Sequence, residues 1–379
     1  MSMRRPRVLL SNDDGVTAPG LVSLAHGLRV ADFCDFWMCG PAGERSAQSH
    51  SISLRKELHA FPIPVEGAQE AYAVDGTPAD SVMMALYSPL LCTRDFDLVV
   101  SGINRGDNCG YHVIYSGTVG AAREAALKGL PALAVSLDGY QARAPQHYAE
   151  ATRVTVALMR ALFSPARAAE EAGAGKRSNG AVLDASAAST PCTRRTNTSL
   201  AIELSGTSFA AEDSAMLFPN LASLQGYVLN VNVPWGDPVP AQGFYLARQG
   251  FHCHLPRFEE VAPGPDVAAN YPGFDLGNSN VRSFRNRIGK MQLDNTKGSD
   301  SWAVSQGYVA VTPLTLLSDV PTSAEAHQDR AEAELVRDLR AVLRVAGAEA
   351  ALAFSEAGAV DDGLQDANAA RAVPLSNWQ

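Results

Sequence analysis

The chain has 379 residues, 46% of them hydrophobic, and a formal net charge of −9 at pH 7. This length and this apolar fraction predict a large globular core and exclude an intrinsically disordered chain. The negative charge argues against a general binder of nucleic acid or of an anionic membrane surface.

Strand-like and helix-like segments alternate along the first 163 residues. A short apolar run at 8–11 stops at Asn12-Asp13-Asp14-Gly15, which is typical of a buried strand that ends in a turn. Thr77-Pro78-Ala79-Asp80 has the pattern of a capping box, so we expect Asp80 to begin a helix rather than to act in catalysis. Another helix is predicted for 117–129. Further strands are predicted at 33–39, 71–74, 97–101 and 131–136.

The remainder of the chain divides by composition. Residues 164–225 form a predicted insertion, in which 166–195 are rich in Ala, Ser, Gly and Thr and should be flexible. Short strands are predicted again at 227–233, 244–248 and 308–312, within a second part of the domain at 226–320. The tail, 321–379, should be helical over about 324–352, since Leu335, Leu339 and Val342 share one face.

This order of elements predicts an α/β fold with three layers and a doubly wound, mostly parallel sheet, as in Rossmann-like domains. The core at 1–163 would carry the functional motifs. The six cysteines form no C-x-x-C pair, so we expect reduced thiols in a cytoplasmic protein. No segment approaches the ~18 apolar residues of a membrane span, so no membrane partner is expected.

Two adjacent carboxylates, Asp13 and Asp14, follow the first strand. In an open α/β sheet, ligands bind outside the carboxyl ends of the strands. Because the two acids repel each other, their placement there suggests that a cation offsets the repulsion. A solvated turn is the alternative, since Asn-Asp-Gly is common in turns.

A second polar segment follows the strand predicted at 97–101. Ser101-Gly102-Ile103-Asn104 leads into a loop, and Ser116-Gly117-Thr118 then opens a helix. The free N–H groups at a helix N-terminus favour an anion, although Ser116 or Thr118 could simply cap the helix. Both strands deliver their carboxyl ends to one edge of a parallel sheet. A hard divalent metal that bridges to a phosphate is the simplest chemistry that uses both segments.

These motifs resemble the SurE family, whose members are survival-protein nucleotidases, metal-dependent phosphatases of nucleoside 5′- and 3′-monophosphates. The resemblance covers about 7–163 and 226–318 in the family's order. Its motifs are Ser11-Asn12-Asp13-Asp14-Gly15, Ala18-Pro19-Gly20, Pro41…Ser46, Gly76-Thr77-Pro78-Ala79-Asp80, Ser101-Gly102-Ile103-Asn104, Tyr115-Ser116-Gly117-Thr118-Val119, Asn230-Val231-Asn232-Val233-Pro234 and the segment from Gly298 to Leu314.

The resemblance implies a set of site residues. One divalent cation per subunit, Mg²⁺ or Mn²⁺, would be held by oxygen ligands, and only the resemblance points to Ser46 as one of them. Asp13 would also assist the nucleophile, and Asp13, Asp14 and Asn108 are the expected catalytic residues. The metal ligands would be Asp13, Asp14, Ser46 and Asn104, and the phosphate would contact Asn12, Asn108, Ser116, Gly117 and Thr118.

The chain departs from the compact bacterial form of the family in three places. Bacterial members often carry an acidic pair where this chain has Tyr111-His112, which resembles the plant-type branch. The insertion and the tail are additions. Family members assemble as dimers or tetramers through a carboxyl-terminal hairpin, so we expect a homodimer or homotetramer and a hairpin within about 235–315.

Three histidines are considered as candidate functional residues. His112 lies close in sequence to the predicted phosphate turn, and histidine has a pKa near neutrality, so a role as general acid is one interpretation. A simple hydrogen-bonding role is favoured, because it is the commoner one for a histidine in a loop. His252 and His254 have strand spacing, but the sequence offers no third ligand beside them. A second metal site is therefore not predicted there.

The sequence thus predicts a metal-dependent phosphomonoesterase that hydrolyses nucleoside 5′- and 3′-monophosphates, with no stable nucleic-acid partner. The alternatives are a broad-specificity acid phosphatase or exopolyphosphatase, and a non-catalytic nucleotide-sensing module. A haloacid-dehalogenase-type phosphatase needs Asp-x-Asp after its first strand, and the first aspartate is its nucleophile. In this chain Asn12 occupies that first position, so this class is disfavoured. A dinucleotide enzyme needs G-x-G-x-x-G at the same turn, which is absent.

Overall fold

The computed structural model describes residues 4–91, 95–164, 218–222, 224–236, 241–262, 282–316 and 333–348. The insertion predicted at 166–195 and both ends of the predicted tail helix lie outside these ranges. Within them, no helix is at once long and apolar enough to cross a bilayer. The described cysteines Cys34, Cys39, Cys109 and Cys253 are free thiols, as expected.

Strands and helices alternate in the first half of the chain, and strands dominate the second. The strands are β1 Arg7–Ser11, β2 Asp35–Pro41, β3 Ala60–Pro62, β4 Ala71–Val74, β5 Leu98–Arg105, β6 Ala132–Asp138, β7 Tyr227–Pro234, β8 Phe244–Leu246, β9 Cys253–Val261, β10 Ser283–Gln292 and β11 Val309–Thr315. The helices are α1 Pro19–Ala31, α2 Pro78–Tyr87, α3 His112–Tyr115, α4 Gly117–Leu127, α5 Ala149–Phe163, α6 Pro219–Ala222, α7 Asp300–Ser305 and α8 at residues 333–348.

Nine of the described strands form one sheet in the order β3-β4-β2-β1-β5-β6-β7-β11-β8. The pairs from β4 through β7 are parallel, as is the pair β11 and β8. The edge strand β3 and the pair β7 and β11 are antiparallel. The sheet is therefore mostly parallel, which agrees with the prediction from the alternation of elements.

Alternation along β1 shows how the sequence builds three layers. Val8 and Leu10 are buried in the core beneath α1, α5 and α8, whereas Leu9 is buried in the core beneath α2 and α4. Successive side chains of a strand point to opposite faces, so a strand that is buried on both sides must be apolar throughout. The predicted fold class, α/β with helices on both faces of the sheet, is confirmed.

Helices α2 and α4 begin at the capping residues that the sequence predicts. The Thr77 side chain accepts a hydrogen bond from Asp80 N and caps α2. The Asp80 carboxylate accepts one from Thr77 N, which completes the predicted capping box. The Oγ atom of Ser116 accepts a hydrogen bond from Val119 N at 3.1 Å and so caps α4. Between the two residues considered as caps, the structure therefore assigns that role to Ser116.

The predicted hairpin and tail helix are both present. β9 and β10 pair antiparallel as a separate two-stranded sheet, within the predicted 235–315. The apolar face of α8, with Leu335, Leu339 and Val342, is buried in the core of its own subunit. The domain boundaries at 163, 225 and 320 stay predictions.

Candidate active site

The candidate site lies where the winding of the sheet reverses. β1 and β5 are neighbours at the centre, and the strands that follow each lie on opposite sides of this pair. Ser11 and Ser101 are in register, so residues 12–15, which follow β1, lie beside the last residues of β5, and residues 106–108 follow at the same edge. A reversal of this kind opens a crevice outside the carboxyl ends of the strands, where ligands bind in open α/β sheets.

Asp13 joins the two polar segments directly. Its carboxylate oxygen Oδ1 accepts a hydrogen bond from Thr118 Oγ1 at 2.6 Å, although the two residues are 105 positions apart. Both side chains are buried. This short bond fixes the carboxylate at the end of β1 against the first turn of α4.

Electrostatics at the carboxylate pair oppose ionisation. Burial raises the pKa of Asp13 to about 7, with a further contribution from the charge of Asp14. Burial also raises the pKa of Asp14, although Arg105 N donates a hydrogen bond to Asp14 Oδ2 at 3.0 Å. A cation beside these two groups would favour their charged forms, so the pair has the properties of a metal site.

Asn12 is fully buried next to this pair. Its amide nitrogen donates to Gly15 O at 2.7 Å, while its Oδ1 atom has no hydrogen-bond partner in the described part of the chain. A buried amide oxygen without a partner is costly. Asn12 therefore uses its amide nitrogen to brace the turn, and its expected contact with a phosphate stays a prediction.

The loop that carries Ser46 closes over the end of β1. Arg45 N donates to Asp13 O at 2.7 Å, so the residue before Ser46 contacts the carboxylate turn. The turn also approaches the loop at Gly15, where a Cβ would lie 3.2 Å from the Gly43 carbonyl carbon. Ser46 itself is exposed, and its hydroxyl donates to Glu44 Oε1 at 3.3 Å.

Asn104 sits on β5 at the same edge. Its amide nitrogen donates to Gly106 O at 2.8 Å, which leaves the amide oxygen as the atom suited to a metal. Helix α1 packs tightly behind it, since a Cβ at Gly20 would lie 2.0 Å from Ile103 O. The Ala18-Pro19-Gly20 motif therefore has a steric purpose, which is to let α1 approach the strand that carries Asn104.

Asn108 is held by three polar side chains. Its amide nitrogen donates to Ser136 Oγ, its backbone N–H donates to Asn232 Oδ1, and Asn230 Nδ2 donates to its carbonyl, at 2.7 to 2.8 Å. Asn230 and Asn232 are fully buried on β7. In the sequence these two asparagines belong only to a motif, whereas in the structure their side chains hold the Asn108 loop.

Gly117 has no room for a side chain. A Cβ there would lie 2.9 Å from Asp13 Cβ and 3.1 Å from Pro78 Cγ. The small residue at the start of α4 therefore lets the helix N-terminus approach the carboxylate. The structure brings together the turn at 12–14, Asn104, Asn108 and the Ser116-Gly117-Thr118 turn at one edge.

A histidine cluster beside this edge was not predicted. Asp107, one residue before Asn108, accepts from His112 Nδ1 at 3.0 Å and from the Tyr140 hydroxyl at 3.0 Å. His112 Nε2 lies 3.0 Å from His254 Nδ1, and His252 Nε2 lies 3.7 Å from Asp107 Oδ1. Sequence spacing could not reveal this cluster, because its members come from a loop after β5 and from the start of β9, about 140 residues later.

The residues at the edge fit a divalent metal. Two carboxylates and two neutral oxygens, from Asp13, Asp14, Ser46 and Asn104, are the donor types that Mg²⁺ and Mn²⁺ prefer. The raised pKa of Asp13 and the burial of its side chain agree with a carboxylate that folds around a cation.

Comparison with known proteins identifies the family. A family model described as "Survival protein SurE" matches residues 8–254. The chain belongs to the SurE family. A crystal structure described as that of the Sure protein from Aquifex aeolicus has the same fold, with a TM-score of 0.53 and 24% identity over 87% of this chain and 100% of that one.

Two curated SurE relatives carry the names of enzymes. One, named 5'-nucleotidase SurE, from Anaeromyxobacter sp., is 52% identical over 155 residues, which is 41% of this chain and 56% of that protein. Another, named 5'/3'-nucleotidase SurE, from Erwinia tasmaniensis, is 47% identical over 161 residues, or 41% of this chain and 57% of that protein. The match thus spans just over half the length of these relatives. The resemblance of Tyr111-His112 to the plant-type branch stays a prediction.

Proposed function

We propose that this chain is a divalent-metal-dependent phosphomonoesterase that hydrolyses nucleoside 5′- and 3′-monophosphates. One Mg²⁺ or Mn²⁺ per subunit would be held by Asp13, Asp14, Ser46 and Asn104. The observation that carries the proposal is the 2.6 Å bond from Thr118 to Asp13, since it joins a carboxylate pair to a helix N-terminus. A cation and a phosphate would then be neighbours at one strand edge.

Names of relatives support the same reaction. The Anaeromyxobacter protein is named a 5'-nucleotidase and the Erwinia protein a 5'/3'-nucleotidase. The proposed ligands all lie within residues 8–254, the range that the SurE family model matches. The substrate class is therefore proposed from these names together with the geometry of the site.

Each residue at the edge has a proposed task. When bound, the metal would polarise a phosphate oxygen and lower the pKa of a water molecule. Asp13 Oδ1 is taken by Thr118, so Asp13 Oδ2 is the atom that we assign to receive a proton from the attacking water. Asn108 keeps a second N–H hydrogen beside its bond to Ser136, and this hydrogen would donate to a non-bridging phosphate oxygen.

The first turn of α4 would hold the phosphate itself. Ser116 Oγ accepts from Val119 N, which leaves its own hydroxyl hydrogen to donate. The N–H groups at the start of the helix carry a partial positive charge, which favours the dianionic ester. Gly117 would allow the phosphate to approach because it has no side chain.

A substrate panel tests this proposal. Phosphate release is measured from 5′-AMP, 3′-AMP, p-nitrophenyl phosphate and tripolyphosphate, each with Mg²⁺, with Mn²⁺ and with a chelator. We expect metal-dependent turnover, with the highest kcat/KM on the nucleoside monophosphates. Higher kcat/KM on p-nitrophenyl phosphate or tripolyphosphate would favour a broad phosphatase or an exopolyphosphatase. Nucleotide binding without turnover under any condition would favour a sensing module.

A further inference from the structure

The histidine cluster beside Asn108 contains donor atoms from three residues that belong to two separate segments of the chain. Asp107, His112 and His252 each offer one ligand atom, and these three atoms lie within 4.8 Å of one another. None of these residues is among the proposed ligands of the oxygen site. Asp107 and His252 are buried, and His112 is only slightly exposed.

Distances within this cluster match those of a metal site. Two ligands of a tetrahedral ion at ~2.0–2.1 Å are separated by about 3.3 Å. The carboxylate oxygen of Asp107 lies 3.0 Å from His112 Nδ1 and 3.7 Å from His252 Nε2, and these values bracket that separation. The longer distance exceeds a hydrogen bond, so in the absence of a shared ion this pair makes no direct bond.

His252 is the residue that hydrogen bonding does not explain. Its Nδ1 atom is buried and has no partner among the residues that the structure describes. Its other nitrogen, Nε2, faces Asp107 across the 3.7 Å gap. The Nε2 atom faces the carboxylate at more than hydrogen-bonding distance, so it is the nitrogen of this buried ring that is placed to share an ion with Asp107.

Neighbouring groups supply the supporting contacts that metal ligands use. Tyr140 donates to the other carboxylate oxygen of Asp107 at 3.0 Å. His112 Nε2 lies 3.0 Å from His254 Nδ1, and the two rings are stacked. Such hydrogen bonds to the distal side of a ligand fix its orientation and are typical of metal-binding histidines.

The fold holds the two segments of the cluster together without a metal. Tyr111 N donates to His252 O at 2.8 Å, and Gly110 leaves room for this approach, since a Cβ there would lie 2.4 Å from His252 N. The buried Asp300 carboxylate accepts from Gly110 N at 2.8 Å and from Gly250 N at 3.1 Å. The donor atoms are therefore preorganised by backbone contacts outside the cluster.

We propose that Asp107, His112 and His252 form a second metal site, which takes an imidazole-preferring divalent transition ion such as Zn²⁺. Two nitrogen donors and one oxygen donor distinguish it from the all-oxygen site, because imidazole suits Zn²⁺ whereas oxygen ligands suit Mg²⁺ and Mn²⁺. Three protein ligands leave a coordination position open. His254 acts as a positioning residue for His112.

Metal titration without the first site tests the proposal. The full-length Asp13→Asn, Asp14→Asn double variant, freed of metal, is titrated with Co²⁺, whose visible absorption reports nitrogen ligation. We expect one Co²⁺ per chain, which Zn²⁺ displaces and a large excess of Mg²⁺ does not. Binding is the readout, so the result is independent of whether the protein hydrolyses nucleotides.

Ligand variants in the same background assign the site. His112→Gln and His252→Gln should each abolish the Co²⁺ spectrum, and His254→Gln should weaken binding roughly 10- to 100-fold. His59→Gln, at an exposed histidine, should leave the spectrum unchanged. Circular dichroism checks folding, and His112, which is less buried than His252, decides the matter if the His252 variant does not fold.

Two results would overturn the proposal. One is the absence of Co²⁺ binding by the Asp13→Asn, Asp14→Asn variant. The other is an unchanged spectrum after His112→Gln or His252→Gln in a folded protein. In either case, Asp107 and His112 would form only a hydrogen-bonded pair that supports the loop.

Discussion

Thr118 contributes through Asp13 and not through the cap of its helix. Ser116 caps α4, whereas Thr118 Oγ1 donates to the carboxylate at the end of β1. A hydroxyl that holds a proposed metal ligand should affect turnover more than stability. This separates two roles that the sequence alone left open for Thr118.

We expect Thr118→Val to lower kcat roughly 10²-fold, the lower end of the loss seen for one preorganised donor. The isosteric methyl group cannot hold the Asp13 carboxylate. Thr118→Ser keeps the hydroxyl and serves as the control, with turnover near that of the wild type. Steady-state kinetics and melting temperature are measured for both variants. A drop in melting temperature with unchanged kinetics would assign Thr118 a purely structural role.

Some residues of the site could be read from the sequence, and others could not. Asp13 and Asp14 are adjacent in sequence and end an apolar run, so their pattern is local. The loop of Ser46 contacts the turn through Arg45 N, which bonds to Asp13 O, and no spacing rule predicts that contact. His252 joins Asp107 from another segment of the chain. Predictions from sequence succeed where the chemistry is local and fail where tertiary contacts assemble it.

Among the elements, α2 begins where its local sequence predicts, at the capping box of Thr77 and Asp80. Asp80 accepts hydrogen bonds from Thr77 N at 2.9 Å and from Ser53 N at 2.8 Å. Burial alone would raise the pKa of Asp80, but these bonds to its carboxylate outweigh burial and lower it. The residue therefore stabilises the helix start and ties the loop at Ser53 to it.

We expect Asp80→Ala to lower the free energy of unfolding by about 1 kcal/mol at pH 7, the typical cost of a lost cap. Because the folded-state pKa is lowered, the ionised carboxylate contributes stability above its unfolded value of about 4. This contribution is lost as the pH falls through the folded-state pKa. Urea unfolding at pH 7 and near pH 3 checks this, and a difference that grows at low pH would contradict it.

Element boundaries were less predictable than element types. β5 was expected at 97–101 but extends to Arg105, since Asn104 and Arg105 pair with Ser136 and Leu137 on β6 after a shift in register. The short edge strand β3 was not predicted. The glycines and asparagines in 102–108 are typical of a loop. Part of this segment is a strand only because it pairs with the neighbouring strand β6.

At the scale of the molecule, the hairpin β9–β10 exposes aromatic side chains. Phe258 is 64% exposed and Phe284 is 50% exposed. Phe284 pairs with Glu260, which is two residues from Phe258, so the two rings lie on one face of the hairpin. An exposed apolar face on a two-stranded sheet is suited to a partner subunit.

We therefore expect a homodimer or larger even oligomer that is held by this hairpin. Phe258→Ser combined with Phe284→Ser should give a monomer, because both aromatic anchors are lost. Val30→Ser, at an exposed apolar residue on α1, is the control and should leave the assembly unchanged. Light scattering at micromolar concentration measures the mass, and a wild-type monomer would refute the expectation.

We expect the tail helix to affect the stability of the subunit and not its assembly. Leu339 and Val342 of α8 are buried in the core of their own subunit. Removal of residues beyond about 322 should therefore leave the oligomer intact while lowering the stability of each subunit. A truncated protein that is monomeric, or one with the same free energy of unfolding as the full-length protein, would contradict this expectation.

We propose that Asp13 and Asp14 hold the divalent ion on which nucleotide hydrolysis depends. The most direct measurement is phosphate release from 5′-AMP after the protein is stripped with a chelator and then supplied with Mg²⁺ or Mn²⁺. Wild-type protein should lose turnover and regain it, while Asp13→Asn and Asp14→Asn should stay inactive in a folded state with either metal. Wild-type turnover in both variants, or in the presence of the chelator, would contradict the claim.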